Sequence, residues 1–147
     1  MFTDEYFMKH ALREAYRAFE KDEVPVGAVV VCNNKIIARA HNLTETLSDV
    51  TAHAEMQSIT IAAQSIGGKY LDECTVYVTI EPCVMCAGAL FWAQTGRLVW
   101  GAPDEKRGFT NYNSIILHPK TEVIHGILEN ECSQLLKDFF AGKRDIK

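Results

Sequence analysis

Apolar residues recur at helical spacing near the start of the chain. Phe7, Ala11, Ala15 and Ala18, with Met8, Leu12 and Phe19, share one face of residues 6–19. That spacing predicts an amphipathic helix, with Thr3 or Asp4 placed to cap it. Val24-Pro25-Val26-Gly27 breaks the pattern. Two β-branched runs, 28–32 and 36–40, follow and are joined by Asn33-Asn34-Lys35, which reads as a hairpin. The polar stretch 41–50 reads as a loop. Thr51 is placed to cap a second helix that runs to about residue 66, where Gly67-Gly68 ends it. Residues 74–79 form a third strand. A third helix, about 83–95, is apolar nearly all round, which predicts burial on several sides. A short strand at 98–100, a polar loop at 101–113, a strand at 122–125 and a helix from 129 to about 141 complete the pattern. Strands alternate with helices without repeats, low-complexity tracts or linkers. We therefore expect one layered α/β domain spanning residues 1–147.

Composition narrows the class. Of the 147 residues, 48% are hydrophobic and 23% charged, as in ordinary soluble domains, and a chain this long buries a core without needing disulfides. Met1-Phe2-Thr3-Asp4-Glu5 shows no basic region leading into an apolar run, and no stretch is long enough to span a bilayer. No membrane association is expected. A formal charge of −4 is not that of a protein that coats nucleic acid by bulk charge, and DNA is not expected as a partner. Five cysteines, two of them at metal spacing, argue for a reducing cytoplasm over a disulfide framework. Cys32, Cys74 and Cys132 lie in apolar or helical runs and read as core thiols.

The chemistry concentrates in Pro82-Cys83-Val84-Met85-Cys86 and, thirty residues earlier, His53-Ala54-Glu55. Composition alone predicts about 0.005 chance occurrences of Pro-Cys-x-x-Cys but about 0.4 of His-x-Glu, so the cysteine pair carries the signal. Cys83 and Cys86 are three apart and fall on one face of a helix start, where free N–H groups and the helix dipole favour thiolate. His53 and Glu55, two apart, can serve one point only at a ragged first turn. Two helix N-termini therefore converge. His53, Cys83 and Cys86 form a candidate zinc set with a position left for water, and Glu55 is the candidate proton carrier. Such a site suits hydroxide addition to an electron-poor carbon bearing an amino group, releasing ammonia.

These residues resemble the zinc-dependent nucleoside and base deaminases, whose signature they match. Further segments extend the resemblance to the bacterial tRNA-specific adenosine deaminases over nearly the whole chain. These are 23–29, Asn42, 51–55, 81–89, Gly126-Ile127-Leu128 and the Phe139-Phe140 ending. The resemblance implies a three-layer α/β/α cytidine-deaminase-like fold around a central, mostly five-stranded mixed sheet. It implies a cytoplasmic homodimer, one zinc ion per subunit, and conversion of wobble adenosine to inosine in a tRNA anticodon loop by zinc-activated water. By matching position, His53, Cys83 and Cys86 would hold zinc and Glu55 would shuttle protons. Val26 would line the base pocket, Asn42 would bond the flipped nucleotide, Ala54 would offer a backbone N–H, and Asp104 would contact RNA.

The chain departs from the family at Leu43, at Val50 and through the loop 101–114. With the acidic net charge, these departures keep a second reading open: a deaminase of a free base or nucleoside such as guanine, cytosine or cytidine. Lys106-Arg107, Lys143-Arg144 and Lys147 read either as RNA-backbone contacts or as solvated surface.

Overall fold

The computed structural model describes residues 1–112 and 115–145; Lys147 and the end of the 101–114 loop lie outside them. Helix α1, Asp4–Glu20, starts at Thr3, whose hydroxyl accepts the Tyr6 N–H at 3.2 Å. Asp4 and Glu5 sit in its first turn, where the positive end of the helix favours them. Strands β1, Gly27–Cys32, and β2, Lys35–His41, form the hairpin. Its turn is Asn33-Asn34, both left-handed at φ 51° and 62°, so Lys35 belongs to the strand. Such a two-residue turn twists with the strands it joins.

In helix α2, Ala54–Ile66, the position before the first helical residue is held by His53 and not Thr51, and the His53 side chain makes no capping hydrogen bond. Thr51 instead donates its N–H and hydroxyl to Asp49 Oδ1 at 2.8 and 2.7 Å, which ties it into the preceding turn. Gly67, left-handed at φ 71°, ends the helix. Strand β3, Cys74–Ile80, leads into α3, Val84–Trp92. The expected burial of α3 on several sides holds only for its middle, because Val84 and Trp92 at its ends are exposed. Strands β4, Arg97–Ala102, and β5, Glu122–His125, and helix α4, Glu129–Asp145, complete the fold.

The sheet order is β2-β1-β3-β4-β5. β1 runs antiparallel to both neighbours, and β3, β4 and β5 are mutually parallel. Alternate strand residues serve opposite faces. Val30, Val76, Val78 and Leu98 pack with Ala54, Ala62 and Leu90 of α2 and α3. Val29, Val31, Tyr77 and Val99 pack with Phe7, Met8 and Ala11 of α1 and with Cys132 and Leu135 of α4. This is the expected three-layer arrangement. Gly27 permits the closest approach, since a Cβ there would strike the α1 backbone at Ala11 and Ala15. No helix among the described residues is long and apolar enough to cross a membrane.

Cys32 and Cys74, expected as separate core thiols, form a disulfide. They face each other in the β1–β3 register with Cα atoms 4.6 Å apart, within the span a disulfide bridges. Cys132 is a free, buried thiol.

The topology brings four chain segments to one end of the sheet. β3 and β4 end there, β2 ends there, and antiparallel β1 begins there. In open α/β sheets the crevice beyond the carboxyl ends of parallel strands is where ligands bind.

Candidate metal centre

His53 precedes α2 and Cys83 precedes α3, each the extended residue at a helix start, and Cys86 lies in the first turn of α3. Both helices aim their N-termini at one point. His53 Nδ1 lies 3.7 Å from Cys83 Sγ and 3.5 Å from Cys86 Sγ. The three ligand atoms lie within 4.8 Å of one another. Ligands at zinc bond lengths in a tetrahedral array would stand roughly 3.6 Å apart, so the donor set fits a zinc ion in both chemistry and spacing. The Val50 backbone beside the His53 ring also favours its protonated form, the kind of second contact that orients metal-binding imidazoles. Among the described residues no fourth His, Cys, Asp or Glu joins the group, whereas structural zinc is normally closed by four protein ligands.

The charges at the site are mutually dependent. The Cys86 thiol bonds to Cys83 sulfur, and this bond, helped by His53, holds Cys83 down at about 4 despite its burial. The same bond and burial push Cys86 well up. The pair keeps one proton between them. His53 is raised chiefly by its bond to Cys83, against the opposing effect of burial. Glu55, 3% exposed, is pushed up to about 7 by desolvation. A carboxyl poised near neutrality can both take and give a proton at working pH.

The cleft above this group has a volume of about 480 Å³. Val26, Asn42, His53, Ala54, Glu55, Cys83 and Asp104 line it, while Cys86 is fully buried beneath. Asn42 and Val26 are brought together by the hairpin, with the Asn42 N–H donating to Val26 O at 3.0 Å. The Asn42 side chain donates to Val24 O at 3.3 Å and accepts from Thr44 N–H at 3.2 Å. Ala54 is the first residue of α2, where helix geometry leaves an N–H without an intrahelical acceptor. Asp104 Oδ1 accepts the N–H groups of Lys106 and Arg107 at 3.1 and 2.9 Å.

Sequence reasoning missed several residues here. Met85 and Thr44 also line the cleft; the first lies inside the cysteine motif and the second two residues beyond Asn42, while Arg107, read from the sequence as an RNA-backbone contact or solvated surface, lines it too. Gln57 Nε2 donates to His41 O at 2.8 Å and Ala52 O at 3.1 Å, tying the end of β2 to the residue that precedes His53. No local pattern signals that role.

Comparison with known proteins agrees with this geometry. Residues 1–102 match the family described as the cytidine and deoxycytidylate deaminase zinc-binding region. A tRNA-specific adenosine deaminase of Bacillus subtilis is 45% identical, the match covering 100% of this chain and 94% of that protein. One of Aquifex aeolicus is 45% identical over 96% of each. Among solved structures, one from work on A-to-I editing by tRNA:A34 deaminases superposes with a TM-score of 0.83 at 42% identity, covering 89% of this chain and 99% of that one. A guanine deaminase from Bacillus subtilis superposes with a TM-score of 0.66 at 36% identity, covering 69% of this chain and 66% of the other.

Proposed function

The chain belongs to the zinc-dependent cytidine and deoxycytidylate deaminase family, and from that premise we propose that it converts the wobble adenosine of a tRNA anticodon to inosine. One observation carries the chemistry. His53, Cys83 and Cys86 converge at two helix starts, open to a cleft that also holds a buried Glu55 titrating near neutrality. Likeness over the full length to tRNA-specific adenosine deaminases supports the substrate.

His53, Cys83 and Cys86 would hold one zinc ion per chain, which when bound supplies Lewis acidity and makes water a nucleophile near neutral pH. Glu55 takes the proton that water loses and hands it to the departing amino group. Water is consumed, the C–N bond breaks, and inosine and ammonia leave. Ala54, the first residue of α2 and part of the cleft lining, would offer its N–H to the base, and Val26 would supply an apolar wall. Asn42 and Asp104 stand at the rim, where the ribose and the neighbouring nucleotide would lie. An anticodon loop presents unpaired bases, so extruding one costs less than from a duplex. The exposed Val84 and Trp92 on α3 support a homodimer covering that face. A cytoplasmic location is part of the same proposal, supported by likeness to bacterial tRNA-specific deaminases.

The test is incubation with a transcribed tRNA bearing a wobble adenosine, read by sequencing. Inosine at that position alone supports the proposal, and its absence at full zinc occupancy rejects it. Likeness to a guanine deaminase at 36% identity favours one alternative, hydrolysis of a free base. Ammonia release from guanine, cytosine or cytidine in place of tRNA conversion would establish it.

A further inference from the structure

Two buried glutamates outside the proton-transfer machinery hold the two rims of the cleft in the same way. Glu23 is 0% and Glu81 3% exposed. Glu23 Oε1 accepts the Glu45 N–H at 3.0 Å, and its Oε2 accepts both the N–H and the hydroxyl of Thr46 at 2.6 Å each. Glu81 Oε1 accepts the Asp104 N–H at 3.2 Å, and its Oε2 accepts the N–H and the hydroxyl of Thr110 at 3.0 and 2.6 Å. In each case one oxygen takes a loop amide and the other takes both donors of a threonine. Among the described residues neither carboxylate has a Lys or Arg at ion-pair distance. Their charge is met by loop donors, which therefore cannot leave without stranding a buried anion.

Both loops contribute to the lining of the cleft. The 44–46 turn carries Thr44, and the 104–110 loop carries Asp104 and Arg107. Gly108 makes the second anchorage possible, because a Cβ there would occupy the Glu81 carboxylate. The backbone bridge between Cys83 and Gly108 then ties that loop beside the ligand set.

We propose that Glu23 and Glu81 are paired positioning residues that fix the two rims of the cleft, and thereby its grip on a nucleotide held within an RNA chain. The role rests on the RNA reading for its substrate but on the structure alone for its geometry. A glutamine at either position keeps the shape yet offers a single acceptor oxygen and adds donors opposite donors.

The experiment compares wild type with Glu23→Gln, Glu81→Gln, Thr46→Val, Thr110→Val and Gly108→Ala. It uses a wobble-adenosine anticodon stem–loop, zinc content and hydrogen exchange. Glu81→Gln should raise KM about tenfold or more, the loss of a charge-assisted contact. It should keep zinc and hold kcat within about threefold, and exchange should quicken only in residues 103–111. Glu23→Gln should do the same with exchange confined to residues 43–47. Should a glutamine variant fail to fold, Thr110→Val, Thr46→Val and Gly108→Ala reach the same contacts with both charges kept, and smaller shifts of the same kind are expected. Loss of zinc, a fall in kcat at unchanged KM, or exchange spread across the sheet would overturn the assignment. If wild type leaves the stem–loop unchanged, the RNA reading fails by itself. Exchange then decides alone: loop-confined quickening with zinc retained supports the positioning role, and unchanged or global exchange removes it.

Discussion

His53 Nδ1 stands 3.5 Å from Cys86 Sγ across 33 residues of chain, and the contact exists because both residues sit at helix starts that meet end to end. Cys86 is fully buried. Truncating either partner therefore leaves the other without its counterpart. His53→Ala or Cys86→Ser should take zinc from about one ion per chain to near none and lower the thermal midpoint, since binding free energy at such a site is folding free energy. Metal analysis alongside calorimetry checks both.

Glu55 should trade stability for activity. Its carboxyl moves from 4.5 up to about 7 on folding, so the folded chain holds that proton more tightly than the unfolded one. The benefit is complete below about 4.5 and is lost as pH rises through 7. In metal-free protein at pH 8, Glu55→Gln should be more stable than wild type by roughly 2–3 kcal/mol, and at pH 4 the difference should vanish. The same variant should bind zinc and show no turnover. Urea unfolding at the two pH values reads the first effect.

The Cys32–Cys74 disulfide closes a 42-residue separation that contains β2 and all of α2. Reduction, or Cys32→Ser with Cys74→Ser, should cost on the order of 2–4 kcal/mol. Zinc content and kcat should be unchanged, because neither sulfur lines the cleft. Unfolding with and without reductant, and a 2 Da mass shift, measure this.

Asp104→Ala should lose the caps on Lys106 and Arg107 and loosen the RNA-facing loop. We expect kcat/KM for the stem–loop to fall about tenfold or more with zinc unaltered. A free-base substrate should be far less affected, so paired assays on the two substrate types separate rim from centre.

Much of the architecture was legible because it rests on local rules. The hairpin turn needed two residues tolerant of positive φ, and Asn33-Asn34 supplied them. His53 pointed to a helix start because, two residues from Glu55, it can share one point with that carboxylate only there, and Cys83 and Cys86, three apart, pointed to one helix face. Other features depend on partners distant in sequence. Thr51 looked like a helix cap, but Asp49 captures its hydroxyl and moves the start to His53. The disulfide follows from a strand register that composition does not reveal. Phe109, lone within a polar loop, is 2% exposed against Trp100. Glu23 and Glu81 drew no role of their own from the sequence, since their partners are loop donors more than twenty residues away.

The most direct measurement is the initial rate of inosine formation in a wobble-adenosine tRNA, followed as metal-free protein is titrated with zinc. Wild type should rise linearly from zero and level off at about one ion per chain, and Glu55→Gln should bind the same zinc yet stay at zero. A rate indifferent to zinc, an active Glu55→Gln, or turnover of free bases alone would contradict the account.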